Sequence, residues 1–71
     1  MNDYDRIIGE WIADKRQKAG MTQTQLGERI GMKKNSICQY EKGTRSISAT
    51  KFLELCRVLN ADPSELTGRI R

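Results

Sequence analysis

Histidine is missing from this chain of 71 residues, and cysteine occurs only twice, at Cys38 and Cys56. Without histidine the chain has no Ser–His or Cys–His nucleophilic pair, and it lacks the usual residue for acid–base catalysis. The two cysteines have no CxxC spacing, which argues against a zinc site, and they make no disulfide framework. We therefore expect no enzyme, no bound metal and no cofactor.

Long apolar runs and a basic leader are absent as well. No stretch approaches the ~20 apolar residues that a membrane-spanning helix needs. The chain opens with two aspartates, Asp3 and Asp5, where a signal peptide would carry basic residues. We expect a cytoplasmic protein, and the length predicts one small domain over residues 1–71.

The positive charge is concentrated in one part of the chain. The formal net charge is +4, yet residues 1–14 carry four acidic side chains against one basic. Residues 33–45 carry four basic side chains against one acidic. This uneven distribution suits a protein that presents one face to an anionic partner such as nucleic acid. Ordinary solvated surface charge is the alternative interpretation.

Proline occurs once, and glycine and asparagine stand where helices would end. Gly20, Gly31, Gly43 and Asn60 divide the chain into helical lengths, because both residue types tolerate the left-handed conformation that ends a helix. No segment alternates with the period of a strand over a useful length. The predicted fold is therefore all-α. Its five predicted helices span about 4–19, 23–30, 34–42, 49–59 and 63–68.

Each predicted helix has an apolar face that we expect to form the core. On the first helix this face includes Tyr4, Ile8, Trp11, Ile12 and Ala19. The later helices are expected to contribute Leu26, Ile30, Ile37, Tyr40, Phe52, Leu55, Cys56, Leu59 and Leu66.

The segment KKNSICQYEKG, residues 33–43, separates into a packed side and a polar side. At roughly 100° per residue, Ile37 and Tyr40 fall on the packed side, which Glu41 borders. The other side of the predicted helix carries Lys34, Asn35, Cys38, Gln39 and Lys42. This side has no acidic residue, and its donors begin at the helix N-terminus, where the dipole is already positive. Such a face suits a groove of base edges lined by phosphates.

The stretch MTQTQLGERIGMKKNSICQYEKGTRSIS, followed by FLELCRVLNADPSEL, resembles the Cro/phage-repressor type of helix-turn-helix protein, the XRE family. The resemblance covers about residues 6–67. It rests on the joint order and spacing of Arg16, Thr22, Gln23, Leu26, Gly31, Ile37, Glu41, Gly43, Leu59 and Leu66. It implies a compact lambda-repressor-like domain of five helices, whose second and third helices form the helix-turn-helix. It also implies a bacterial or phage protein located at the nucleoid.

The resemblance assigns DNA contacts position by position. Base edges in the major groove are expected to meet Lys34, Asn35 and Gln39, with Cys38 beside them. Contacts to the DNA backbone are expected from Thr22, Gln23, Lys33, Lys42, Thr44 and Arg45. Thr22 is also expected to cap the second helix. Arg45 could instead enter a narrow minor groove. For Lys42 and Arg45 the alternative is that each belongs to a solvated loop and does not contact DNA.

Arg16 and Glu41 are expected to pair between the first and third helices, in a structural role and not as DNA contacts. Three positions depart from the family pattern, and one of them is Ile47, which replaces a common proline and leaves its loop less constrained. Gly27 stands where alanine is usual, and a glycine inside a helix costs about 1 kcal/mol. Lys33 stands where a capping serine or threonine is common, so the third helix is expected to begin without a side-chain cap.

The implied function is a sequence-specific transcriptional regulator, expected to act as a repressor that binds a palindromic operator in double-stranded DNA as a homodimer. Val58, Leu66 and Ile70 predict a dimer interface in the region of the fourth and fifth helices. The alternatives are a restriction–modification controller protein, an antitoxin whose main partner is another protein, or a helical module that binds only protein. We expect no ligand-sensing domain after Arg71 and no small-molecule ligand, so regulation would come from concentration, a partner protein or operator arrangement.

Overall fold

The computed structural model describes residues 3–68, and this range is helical and without strands. Its four α-helices are α1 (Asp3–Lys18), α2 (Gln23–Arg29), α3 (Lys34–Lys42) and α4 (Ala49–Leu59). The all-α prediction is confirmed. The prediction of a fifth α-helix is wrong in type, because Pro63–Gly68 forms a 3-10 helix. Its first turn closes from the Glu65 N–H to the Asp62 carbonyl at 3.1 Å, three residues apart, as is common in short helical segments.

The helix ends follow the capping chemistry of the sequence. Thr22 forms a capping box with Gln25 at the start of α2: the Thr22 hydroxyl accepts from the Gln25 N–H, and the Gln25 side chain accepts from the Thr22 N–H. Ser48 caps α4 by accepting from the Lys51 N–H at 3.2 Å. Asn60 ends α4 in the left-handed conformation, at φ 51°. Local sequence therefore fixes where these helices begin and end.

A single apolar core joins the four α-helices and the 3-10 helix. Its buried members are Trp11, Ile12, Leu26, Ile30, Ile37, Tyr40, Leu55, Cys56, Leu59 and Leu66. The Trp11 and Phe52 rings lie 5.9 Å apart between centroids and join α1 to α4. Burial raises the pKa of the Cys56 thiol, so this cysteine behaves as a core residue.

Two residues expected on the buried face of α1 are not buried. Tyr4 lies in the first turn of α1 and is 51% exposed. Ala19 is exposed and lies beyond the end of α1, since that helix stops at Lys18. The predicted stripe is therefore too long at both ends.

The backbone of α1 lies directly against the last turn of α3. A Cβ atom added to Gly9 would overlap the carbonyl oxygens of Tyr40 and Glu41. A Cβ on Gly43 would lie 2.7 Å from the Arg6 Cα, and Gly43 also has a φ of 75°, which favours glycine. Side chains at these two positions would force the helices apart, so the close approach of α1 and α3 requires glycine.

Gly27 has a similar role between α2 and α3. A Cβ at this position would overlap the Met32 carbonyl oxygen and would lie 3.5 Å from Cγ1 of Ile37. The Met32 N–H donates to the Gly27 carbonyl at 2.8 Å, so the turn after α2 folds back against this residue. The departure from alanine at Gly27 is thus explained by the packing of the turn.

A lysine of α4 forms a hydrogen bond with the C-terminal end of α2. The Lys51 ammonium donates to the Ile30 carbonyl oxygen at 2.9 Å and pairs with the Glu54 carboxylate at 3.1 Å. Ile30 is the residue that caps α2, and a cation there opposes the negative end of the helix dipole. The contact attaches α4 to the α2–α3 pair.

The 3-10 helix is attached to α1 through Glu65. The Trp11 indole N–H donates to the Glu65 carboxylate at 3.3 Å, and the Lys15 ammonium pairs with the same oxygen. The hydrogen bond from Lys15 lowers the pKa of Glu65, and the bond from Trp11 adds to this effect, while desolvation opposes it.

Within residues 3–68, no helix has both the length and the apolar content needed to cross a bilayer.

Candidate nucleic-acid interface

The two sides of α3 differ in the structure as the helical spacing predicts. Ile37 and Tyr40 face the core and are 0% and 5% exposed. The opposite side carries the exposed Lys34, Asn35, Gln39 and Lys42, with Cys38 half-buried among them. This set is the outward face of α3. It contains two ammonium groups, two carboxamides and a thiol, and no acid.

The acidic residue of α3, Glu41, is turned away from the outward face. Its side chain is 7% exposed, and its two oxygens receive Arg16 Nε at 2.6 Å and Arg16 Nη2 at 3.2 Å. Arg16 also donates through Nη1 to the Met21 carbonyl at 2.8 Å. The forked contact fixes both side chains, so α3 keeps its carboxylate inside the protein and presents only neutral and positive groups outward.

Gln23, at the first position of α2, belongs to the same cluster. Its Nε2 donates to Glu41 Oε1 at 2.9 Å, so the side chain expected to contact DNA has a partner within the protein. The bond connects the start of α2 to the last turn of α3. Thr22 also has a partner within the protein, since its hydroxyl and its N–H both serve the capping box with Gln25.

A groove of about 550 Å³ opens where the start of α2 meets the start of α3. Its lining includes Thr22, Gln23, Thr24 and Lys34, together with Arg16 from α1. The groove therefore brings together three predicted DNA-contacting residues from two helices. Sequence reasoning missed Thr24, although its place in the first turn of α2, next to Gln23, was the available signal.

The start of α3 has the weak cap that the sequence predicts. Lys33 occupies the N-cap position in an extended conformation, and its side chain makes no capping hydrogen bond. Lys33 and Lys34 are both exposed and stand side by side at the positive end of the helix. The first turn of α3 contains no acidic residue that would offset them.

Beyond α3 the chain folds back onto the helix. Thr44 donates to the Gln39 carbonyl twice, from its backbone N–H at 3.1 Å and from its hydroxyl at 3.3 Å. Arg45 donates through Nη1 to the Ser36 hydroxyl at 3.1 Å, and its guanidinium carbon lies 5.4 Å from the centre of the Tyr40 ring. The Arg45 side chain, although exposed, is thus held along the flank of α3.

Metal-binding groups do not converge in the described part of the chain. Among residues 3–68, no three His, Cys, Asp or Glu side chains are arranged to hold an ion. The functional groups that do converge are amines, amides and guanidinium groups around α3. Their chemistry is that of binding to phosphates and base edges.

Comparisons with known proteins agree with this geometry. An uncharacterized HTH-type transcriptional regulator of Sinorhizobium fredii, y4wC, is 33% identical over 63 residues, which are 89% of this chain and 44% of the relative. A second such regulator, from Rhizobium meliloti, is 35% identical over 63 residues, which are 89% of this chain and 45% of the relative. This chain therefore spans less than half the length of these relatives.

Solved structures show the same fold. The clp gene regulator ClgR of C. glutamicum superimposes with a TM-score of 0.82 at 19% identity, over 87% of this chain and 80% of that one.

A family model described as helix-turn-helix matches residues 12–66. That range includes α2, α3 and the turn between them. The chain belongs to the helix-turn-helix family.

Proposed function

We propose that this chain is the DNA-binding part of a sequence-specific transcriptional regulator, with α3 lying in the major groove. One observation carries the proposal: the outward face of α3 is free of acid, because Glu41 is withdrawn into its contact with Arg16. A solvated helix face would gain from acid–base pairs four residues apart, whereas DNA would repel acids. The role is one of binding and not of catalysis, and we place it at the nucleoid in the cytoplasm of a bacterium.

Three exposed side chains at the start and middle of α3 are the proposed base readers. Lys34 suits the acceptors of guanine, while Asn35 and Gln39 suit the paired donor and acceptor of adenine. Cys38 lies between them and, half-buried, fills the space beside the bases. The geometry of α3 supports these roles because these side chains share one side of the helix.

The proposed backbone contacts surround this face. They comprise Thr22 and Gln23 in the groove, Lys33 before α3, and Lys42, Thr44 and Arg45 at its far end. Gln23 keeps a second amide hydrogen beyond the one given to Glu41, so its bond within the protein orients it toward a phosphate without consuming the group. Arg45 likewise keeps further N–H donors after its bond to Ser36. Thr24 is added to this set because it lines the same groove.

Specific binding by one such module reads only one half-site, so we propose a homodimer on a palindrome, acting as a repressor. The dimer residues expected from the sequence need correction. Val58 is half-buried against the core, Leu66 is 7% exposed and belongs to the core of its own chain, and Ile70 lies outside the described residues. Leu53 on α4 is 62% exposed and is the better candidate for the contact between copies.

Selection of binding sites from random duplex DNA tests the proposal, followed by affinity measurements on the selected sequence at increasing salt. We expect an enriched palindrome and an affinity that falls steeply with salt, because several cations contact phosphates. Without enrichment, and with only weak salt-sensitive binding, the proposal fails. A protein-binding role, as in an antitoxin, would then be the alternative, and isolation of a partner would follow.

Substitutions separate the two kinds of contact. Lys34→Ala and Gln39→Ala should change the preferred bases, each by about 1–3 kcal/mol at its own position. Lys42→Ala should weaken binding to all sequences alike and reduce the salt slope by about one. Lys18→Ala, which removes a lysine on α1, is the matched control and should change neither. If base preference survives both Lys34→Ala and Gln39→Ala, the assignment of base readers is wrong.

A further inference from the structure

A second concave surface lies on the side of α4 that faces α2. It is a cleft of about 350 Å³ lined by Arg29 and Ile30 from α2 and by Glu54, Arg57 and Val58 from α4. We call it the α2–α4 cleft. None of its lining residues belongs to the outward face of α3 or to the basic loop that follows α3.

The charges around the α2–α4 cleft are unbalanced. Glu54, the acid of the cleft, is paired with Lys51 at 3.1 Å, and Lys51 also covers the negative end of α2 through the Ile30 carbonyl. Arg29 and Arg57 are exposed, and within residues 3–68 neither guanidinium group has a hydrogen-bond or ion-pair partner. The cleft thus presents two uncompensated guanidinium groups beside the apolar surface of Ile30 and Val58.

We propose that the α2–α4 cleft is a docking site for an acidic protein segment, one that places an apolar side chain against Val58 and carboxylates on Arg29 and Arg57. Charge complementarity selects this occupant, since guanidinium groups bind carboxylates through two parallel hydrogen bonds. Arginine is also enriched at protein–protein interfaces, where its planar group and long stem contribute to binding.

The cleft adjoins the surface proposed to join two copies of the chain. Leu53 and Glu54 are consecutive residues, so their side chains point roughly 100° apart around α4. Arg57, four residues after Leu53, points only about 40° away from it, so a dimer contact at Leu53 lies next to the Arg57 edge of the cleft, whereas Arg29 belongs to α2. A regulator on DNA would offer a contact to a second protein without moving α3.

Nuclear magnetic resonance with a synthetic peptide tests the proposal. The probe is a short capped peptide in which glutamates flank leucines, titrated into isotope-labelled protein while the methyl signals of Ile30 and Val58 are followed. We expect saturable shifts at these methyls. Arg29→Gln and Arg57→Gln should each weaken the peptide affinity by roughly two- to fivefold, as expected for exposed charge pairs.

Matched controls decide between the possible outcomes. Lys18→Gln removes one positive charge elsewhere and should leave the peptide affinity unchanged. Replacing the peptide glutamates by lysines should abolish binding. Both arginine variants should keep the thermal stability and the duplex-DNA affinity of the parent. The proposal is overturned if the methyls do not shift, or if Lys18→Gln weakens binding as much as the arginine variants do. It is also overturned if the arginine variants lose DNA affinity, since the cleft would then contact phosphates, or if they abolish self-association, since the occupant would then be a second copy.

Discussion

Lys15 and Arg16 are neighbours in α1, and each forms an ion pair with a glutamate from a distant element. Arg16 contacts Glu41 in the last turn of α3, and the two side chains are 13% and 7% exposed. Lys15 contacts Glu65 in the 3-10 helix, and those side chains are 20% and 44% exposed. One pair holds the proposed DNA-binding helix, and the other holds the end of the described chain.

The comparison shows that burial and geometry, and not charge alone, decide what an ion pair contributes. Glu41 accepts two hydrogen bonds from Arg16 and one from Gln23, and its side chain is almost fully buried. Removal of either charge would leave the other buried without a partner, which lowers the free energy of unfolding. Glu65 is partly exposed to water, which weakens the Coulomb attraction and lets salt screen it. The two pairs should therefore respond very differently to substitution.

The largest effect is expected from Glu41→Ala. The substitution leaves the Arg16 guanidinium without its carboxylate and removes the acceptor of Gln23, so we expect a loss of about 3 kcal/mol in the free energy of unfolding. Urea denaturation measures it, with Glu41→Gln as the shape-preserving control of intermediate effect. A loss below about 1 kcal/mol would mean that the buried pair behaves like a surface pair.

Gly9→Ala tests the backbone contact that brings α1 to Glu41. The added methyl would collide with the carbonyl oxygens of Tyr40 and Glu41, and we expect a loss of about 2 kcal/mol, although alanine favours the helix by about 1 kcal/mol. Gly68→Ala is the control on the Glu65 side: apart from its neighbours in the chain, no atom of the described residues lies within 4 Å of the added Cβ, so the change should stay within about 0.5 kcal/mol. Equal melting temperatures for the two variants would contradict the close contact.

Arg16→Lys retains the charge and removes the fork. A lysine cannot hold both oxygens of Glu41 in parallel and also reach the Met21 carbonyl, so about 1 kcal/mol of stability should be lost. The reciprocal change, Lys15→Arg, serves as the control and should be close to neutral, because the Glu65 site places less demand on geometry. A larger fall in melting temperature for Lys15→Arg than for Arg16→Lys would contradict this expectation.

The smallest effect is expected from Glu65→Gln, and it should depend on pH. The pKa of Glu65 lies below its ordinary value of 4.5, chiefly through the hydrogen bond from Lys15. The stabilisation is therefore complete above pH 4.5 and is lost as the pH falls through the lowered pKa of the folded state. Melting temperature against pH should fall less steeply on the acid side in Glu65→Gln than in the parent.

Trp11 provides an independent reading of the same titration. It is the only tryptophan in the chain, and its indole N–H donates to Glu65. Its fluorescence should change in acid in the parent and not in Glu65→Gln. Asp62, whose pKa is lowered mainly by the backbone hydrogen bond from Ser64, remains in both proteins as a common background. Superimposable fluorescence titrations would show that Glu65 is not coupled to the indole.

Local chemistry accounts for the parts of the fold that the sequence predicts well. The bounds of α3 and α4 are confirmed because Gly43 and Asn60 take left-handed conformations and Ser48 caps α4. The division of α3 into two sides is likewise a matter of spacing on one helix. The Pro63 segment was harder, because a start signal does not determine whether so short a segment closes with α or 3-10 hydrogen bonds.

Contacts between distant residues account for what could not be predicted. The Gln23–Glu41 bond joins residues 18 apart, and the Lys51 bond to the Ile30 carbonyl joins residues 21 apart. Neither follows from periodicity or capping, since both depend on how the helices pack. Leu66 shows the same limit: its apolar character was evident, but whether it faces the core or a partner is decided by the tertiary structure.

The shortness of the two helices that form the proposed DNA-binding unit has a consequence for protein engineering. With seven residues in α2 and nine in α3, each is well below the ~12–15 residues that an isolated helix needs in water. The pair keeps its shape through Arg16 of α1 and Lys51 of α4, which lie before and after it in the chain. A peptide cut from residues 22–43 would therefore not fold, and the pair cannot be moved alone into another scaffold. Under the proposed function, a new DNA specificity requires changes to the outward side chains of α3 while all four α-helices are kept.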